Sequence, residues 1–152
     1  LMGYETLAST GYVAELVQRF NDARGLTVVC MGAFPRVEML RHAARADVGL
    51  LFFSNVEDAN ERTMVGASNK IFDYFAAGIP FVCFDSSEFN ALSEELEGVH
   101  PLSSFHQVAD ALHEIKSNYS GDEARRRLQG QVSGKNTYAE EFAPLLQGVF
   151  KR

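Results

Sequence analysis

Asn69, Lys70 and Asp73 carry the chemistry-bearing pattern of this chain, within the run "SNKIFDYFAAGIPFVCFD" from Ser68 to Asp85. Asn69 and Asp73 stand one helical turn apart, with Lys70 beside them. Ile71, Phe72, Phe75 and Ala76 mark an apolar face at helical spacing. A polar face on a helix beside a sheet points to a ligand at the helix start. Backbone N–H groups of Ala67, Ser68 and Asn69 fall where a helix leaves its first donors unpaired, so they suit phosphate oxygens. Gly66 lets the backbone approach a ligand, and Lys70 adds positive charge. The structural alternative is Ser68 as a plain cap and Lys70 as a solvated surface residue.

The elements that must position these residues follow on both sides. Gly78 suits the positive φ that closes a helix, and Pro80 prevents its resumption. "FVCF" is an apolar run of the kind a central parallel strand shows. Upstream, "DVGLLFF" reads as another buried strand, with Asp47 as an entry-turn residue rather than a catalyst. Between them lies the polar, turn-rich segment 54–67, a length that usually signals function or mobility.

The pattern resembles a known family. "SNKIFDYFAAGIPFV" looks like the signature of the C-terminal domain of GT-B fold glycosyltransferases, in particular the retaining group 1 (family 4) enzymes. "LRHAARADVGLLFF" is similar to the preceding helix and strand of that domain, and weaker likeness runs from about Gly3 to the C-terminus. The resemblance implies a single donor-binding domain over 1–152, the second half of a two-domain enzyme whose N-terminal acceptor domain is absent from this chain. It implies a nucleotide-diphosphate sugar as substrate, with no metal and no cofactor. Transfer would then rest on electrostatic stabilisation of the leaving diphosphate. In the family's pattern Asp73 replaces the glutamate that binds the ribose hydroxyls, a task suited to a carboxylate acceptor. Tyr4 and Thr10 stand where the family has Arg and Lys, and Val65 where it has a second glutamate near the donor sugar. Glu57, Asp58 and Glu61 are loop acids that could compensate, and no residue is nominated as catalytic.

The rest of the chain fits an α/β, doubly wound, Rossmann-like parallel sheet flanked by helices. Strands are expected near Val28–Met31, Val48–Phe53, Phe81–Phe84 and Val99–Leu102, with a first strand near Met2–Glu5. Ser9 and Thr10 precede a helix striped by Val13, Leu16, Val17 and Phe20; they either cap it or contact phosphate. Phe34, after "LTVVCMG", either walls a nucleotide base or fills the core. Pro35 opens a helix with Val37, Leu40 and Ala44 on one side and Arg36, Arg41 and Arg45 on a solvated basic face. Phe89, Leu92 and Leu96 stripe a later helix whose Glu94, Glu95 and Glu97 are solvated. Ser104 with Gln107, Ser120 with Glu123 and Thr137 with Glu140 read as capping boxes. The last helix, kinked at Pro144, would dock on the sheet, stay exposed or mediate self-association.

Composition limits the alternatives. The chain has 152 residues, 46% hydrophobic and 22% charged, enough for one core. A net charge of −6 argues against a nucleic-acid partner. No apolar run is long enough to span a bilayer. A cytoplasmic location is expected, with the inner membrane face as the alternative for the full-length protein. Cys30 and Cys83 read as buried free thiols, and His42, His100, His106 and His113 show no metal-ligand spacing. Other readings are a nucleotide-sugar epimerase domain of the same architecture, a non-catalytic interaction domain with a degenerate site, and a generic flavodoxin-like module.

Overall fold

The computed structural model describes residues 11–24, 28–52, 65 and 69–132. The chain divides into two compact units, residues 1–42 and 43–152. The expected first strand, segment 54–64 and the final helix lie outside the described residues.

In the first unit, α1 spans Tyr12–Arg24 and α2 starts at Arg36, ending at Ala43. Gly11 (φ 87°) and Pro35 precede the two helices, and their carbonyls accept the N–H groups of Glu15 and Met39 at 3.0 Å. The strand expected at Val28–Met31 is not formed. Val29 and Met31 are exposed, and so is Cys30, contrary to the buried thiol read from the sequence. A β-branched run becomes a strand only when a neighbour takes up its backbone groups. Here Asn21 does so for Val28: its Nδ2 donates to the Val28 carbonyl at 3.0 Å and its Oδ1 accepts from the Val28 N–H at 2.7 Å.

The second unit holds a three-stranded, all-parallel sheet in the order β1 (Gly49–Leu51), β2 (Phe81–Phe84), β3 (Val99–Leu102). Register pairs Gly49 with Phe81 and Phe81 with Val99. Parallel neighbours need crossover connections. The helices α3 (Asn69–Ala77) and α4 (Ser87–Glu95) lie in those connections. After β3 come a 3₁₀ turn at Phe105–Gln107, then α5 (Val108–Asn118) and α6 (Asp122–Val132). The sheet is α/β and compatible with the Rossmann-like expectation over these three strands.

Strand β2 divides the core by its two-residue period. Phe81 and Cys83 join Leu51, Ile71, Phe75, Phe89, Val99 and Leu128 on one face. Val82 points the other way, to Leu102, Ala111 and Ile115 beneath α5. The stripe of α4 read from the sequence is seated accordingly, with Phe89 buried, and α6 buries Ala124 and Leu128. In α5, Ala111 and Ile115 face inward and Leu112 is exposed, as is Phe105 in the preceding turn.

Helix α6 is mostly polar, and its long side chains secure backbone groups elsewhere. Arg125 donates to the Ala44 carbonyl (2.7 Å) and the Ala46 carbonyl (3.0 Å). Gln129 donates to the Ala76 carbonyl at the end of α3 (3.1 Å), and Gln131 exchanges two bonds with the Glu97 backbone (2.6 and 3.0 Å). Glu97, read as solvated, receives Arg127 in a bidentate pair. Ser120 does not cap α6 as the sequence pattern suggested; its hydroxyl donates back to the Lys116 carbonyl. Arg125→Met keeps the aliphatic stem and strips the donors from one exposed and one part-buried carbonyl, which water then replaces. The expected loss is about 0.5–1.5 kcal/mol in urea denaturation at unchanged m-value.

Candidate functional site

Helix α3 leaves the long connection that follows β1 and runs into β2 through a tight turn. The Gly78 N–H donates to the Phe75 carbonyl (2.9 Å) and the Ile79 N–H to the Tyr74 carbonyl (3.0 Å). With Gly78 at φ 70°, this is a Schellman closure, in which Ile79 packs in one cluster with Tyr74. The glycine turn expected from the sequence is therefore present, and it fixes where α3 ends.

The face assignment of α3 differs from expectation. Ile71 and Phe75 are buried as expected, but Phe72 and Ala76 face outward. Asp73, expected on an open polar face, is only 8% exposed and is the one buried charged residue among those described. Nine residues cover two and a half turns, so burial of Tyr74 and Ala77 against the sheet turns position 73 inward. Asn69 and Lys70 are exposed at the first turn. The structure thus brings Asn69, Lys70 and Asp73 onto one short helix, with Asp73 below the surface that the other two share with solvent. Gly66, Ala67, Ser68, Ser9, Thr10 and Tyr4 lie outside the described residues. Val65 is half-buried and packs against the core cluster. Phe34, in the other unit, is partly buried with its ring 4.6 Å from that of His42.

Tyr74 was not singled out in the sequence, yet it links α3 to the sheet. Its ring covers Gly49 so closely that a Cβ there would sit 2.7 Å from it, and its hydroxyl donates to the Leu50 carbonyl at 2.8 Å. Burial pushes the phenol up; the Leu50 bond opposes this and the Asp73 charge adds to it. A sequence signal exists in retrospect: a glycine opening a strand makes room for a large ring.

At the carboxyl ends of the strands, where open α/β sheets take ligands, Phe52, Phe84 and Phe105 form a triangle of rings 4.8–5.1 Å apart. The neighbouring start of α4 is internally satisfied. Ser86 Oγ accepts from the Phe89 N–H at 3.2 Å. The Glu88 carboxyl is held below its ordinary range by its own backbone N–H, then by the Ser86 and Ser87 hydroxyls. That helix end already holds a carboxylate. Cys83, buried as expected, has its thiol pushed up to about 12 by desolvation, with Asp85 contributing. It is a packing residue rather than a nucleophile.

Among the described residues no three His, Cys, Asp or Glu side chains gather as a metal site, and no helix is long and apolar enough to cross a membrane. Fold and site together define an α/β unit with a parallel sheet and a helix whose first turn exposes Asn69 and Lys70. Comparison with protein-family models, with curated proteins and with solved structures found no match to the chain.

Proposed function

We propose that this chain is the donor-binding domain of a retaining glycosyltransferase that takes a nucleotide-diphosphate sugar and works in polysaccharide or glycolipid synthesis. The observation that carries the reading is the folding of "NKIFDYFAAGIPFV" as one helix–turn–strand unit, with Asn69 and Lys70 exposed at the helix start and Asp73 one turn below. Asp73 accepts the ribose hydroxyls, and Lys70 with the start of α3 faces the diphosphate. Asp is a methylene shorter than Glu, so the ribose lies close to the helix or a water bridges the gap. Acceptor recognition belongs to a partner N-terminal domain, so the chain alone binds donor and transfers little. The cell compartment that supplies nucleotide sugars to such an enzyme is the cytoplasm.

Val65 favours a second reading. It packs on the core at the position of the family's second carboxylate, as in a domain that keeps the fold and binds a partner without catalysis.

Calorimetric titration with UDP, GDP and ADP separates the two. One nucleotide is expected to bind weakly. Asp73→Asn, which preserves volume in a buried position, should weaken it about 10- to 100-fold, the value of a charge-assisted hydrogen bond. Lys70→Ala, at an exposed position, should weaken it as well. Absence of binding at millimolar nucleotide, or binding indifferent to both substitutions, would discard the donor site on α3 and favour the interaction domain.

A further inference from the structure

His100 lies on the edge strand β3, two residues before Leu102 and therefore on the α5 side of the sheet. Its Nε2 is buried without a hydrogen-bond partner. Buried polar atoms in native structures are almost always paired, so such an atom needs a physical account. The ring stands perpendicular to that of Tyr119, with centroids 5.6 Å apart. Tyr119 is the C-cap of α5, and its hydroxyl interacts with the Gly98 backbone at the entry to β3. The His100–Tyr119 contact thus joins the C-terminal turn of α5 to the sheet edge, beside the packing of Tyr119 on both core clusters. Otherwise α5 is held by few buried side chains, Ala111 and Ile115. Tyr119 also lines a cavity of about 470 Å³, together with Val48, Leu112, Ile115 and Lys116.

We infer that His100 is an acid-sensitive latch: protonation of its imidazole releases Tyr119 and loosens the C-terminal turn of α5 from β3. A neutral imidazole tolerates burial far better than an imidazolium. Desolvation accordingly lowers the pKa of His100, and the Glu114 carboxylate on α5 offsets this only in part. On the opposite face of the sheet, the Cys83 thiol of β2 lies 3.9 Å from the His100 carbonyl. Glu97 and Arg127 act on Tyr119 with opposite signs. Because the folded-state pKa is below the unfolded one, the closed form is fully favoured above the unfolded value of about 6.5 and loses ground as pH falls toward the folded value. Across that window the open population gains at most about tenfold per pH unit for the single proton taken up.

The test uses the full chain between pH 7.5 and 5. The imidazole of His100 is titrated by NMR, and exchange of the Ile115–Tyr119 amides is followed with correction for intrinsic rates. The imidazole should titrate below its ordinary value, and protection of those amides should fall in step with it. In His100→Gln, which cannot take a charge, protection should be flat over the same range. Parallel loss of protection in both proteins would overturn the latch. So would titration of wild-type His100 at or above its ordinary value, a result that needs no variant to fold.

Discussion

Phe81→Ala is expected to remove about 3–5 kcal/mol of folding free energy, the cost of deleting a fully buried aromatic ring. Phe81 has no solvent exposure and lies on β2, the central strand, which pairs on both sides. Its ring meets Tyr74, Phe75 and Phe89 with centroids 5.7, 5.8 and 6.4 Å apart. Truncation therefore opens a cavity walled by α3 and α4 at once, and neither helix can collapse inward without breaking its turn into the next strand. Domains of this size are stable by about 5–15 kcal/mol, so the variant should be marginal or unfolded at 37 °C. Phe105→Ala is the control. Phe105 is 63% exposed, although it touches two other rings, and its loss should stay under about 1 kcal/mol. Urea denaturation of both variants tests the claim. Equal losses would mean that the core is not centred on β2.

Gly78→Ala is expected to cost about 2–4 kcal/mol, from two sources that add. The backbone at φ 70° disfavours any side chain, worth about 1 kcal/mol or more. A Cβ would also sit 2.9 Å from the Arg125 carbonyl, an atom of helix backbone that cannot swing away as a side-chain tip can. Separating α3 from α6 to relieve that contact would strain the Gln129 bond to Ala76 and the Arg125 bonds to Ala44 and Ala46. Gly121→Ala isolates the first source. Its φ is 97°, yet no atom lies within 4 Å of the added Cβ. Its cost should be about 1 kcal/mol, clearly below that of Gly78→Ala. Thermal melting of the pair suffices, and similar shifts would refute the close approach as the dominant effect. Since Gly78 fixes the end of α3, its variant should also weaken any nucleotide that depends on Asp73, even where the protein still folds.

Much of the second unit was legible from local pattern. The apolar runs ending at Leu51, Phe84 and Leu102 became strands within one or two residues of their expected bounds. Gly78 and Pro80 marked the turn because positive φ and a missing N–H are properties of single residues. Pro35 marked the start of α2 for the same local reason. The Asn69–Lys70–Asp73 grouping was readable too, because one turn of helix brings residues three or four apart together.

Other features depended on what lies across the fold. Val28–Met31 has strand propensity, yet the Asn21 side chain takes both backbone groups of Val28. Helical spacing put Phe72 inside and Asp73 outside, whereas contact with the sheet rotated α3 the other way. Periodicity gives an angle between residues but no reference direction; only packing against β1 and β2 supplies it. Ser120 had the spacing of a cap and used its hydroxyl on the preceding helix. Nothing about "GVHPL" revealed that His100 would be half-buried, with an unpaired Nε2 out of solvent and its ring against Tyr119. The sequence by itself determined the elements and the residues that share a turn. The tertiary structure alone decided which face each element buries, because burial is a relation between segments distant in the chain.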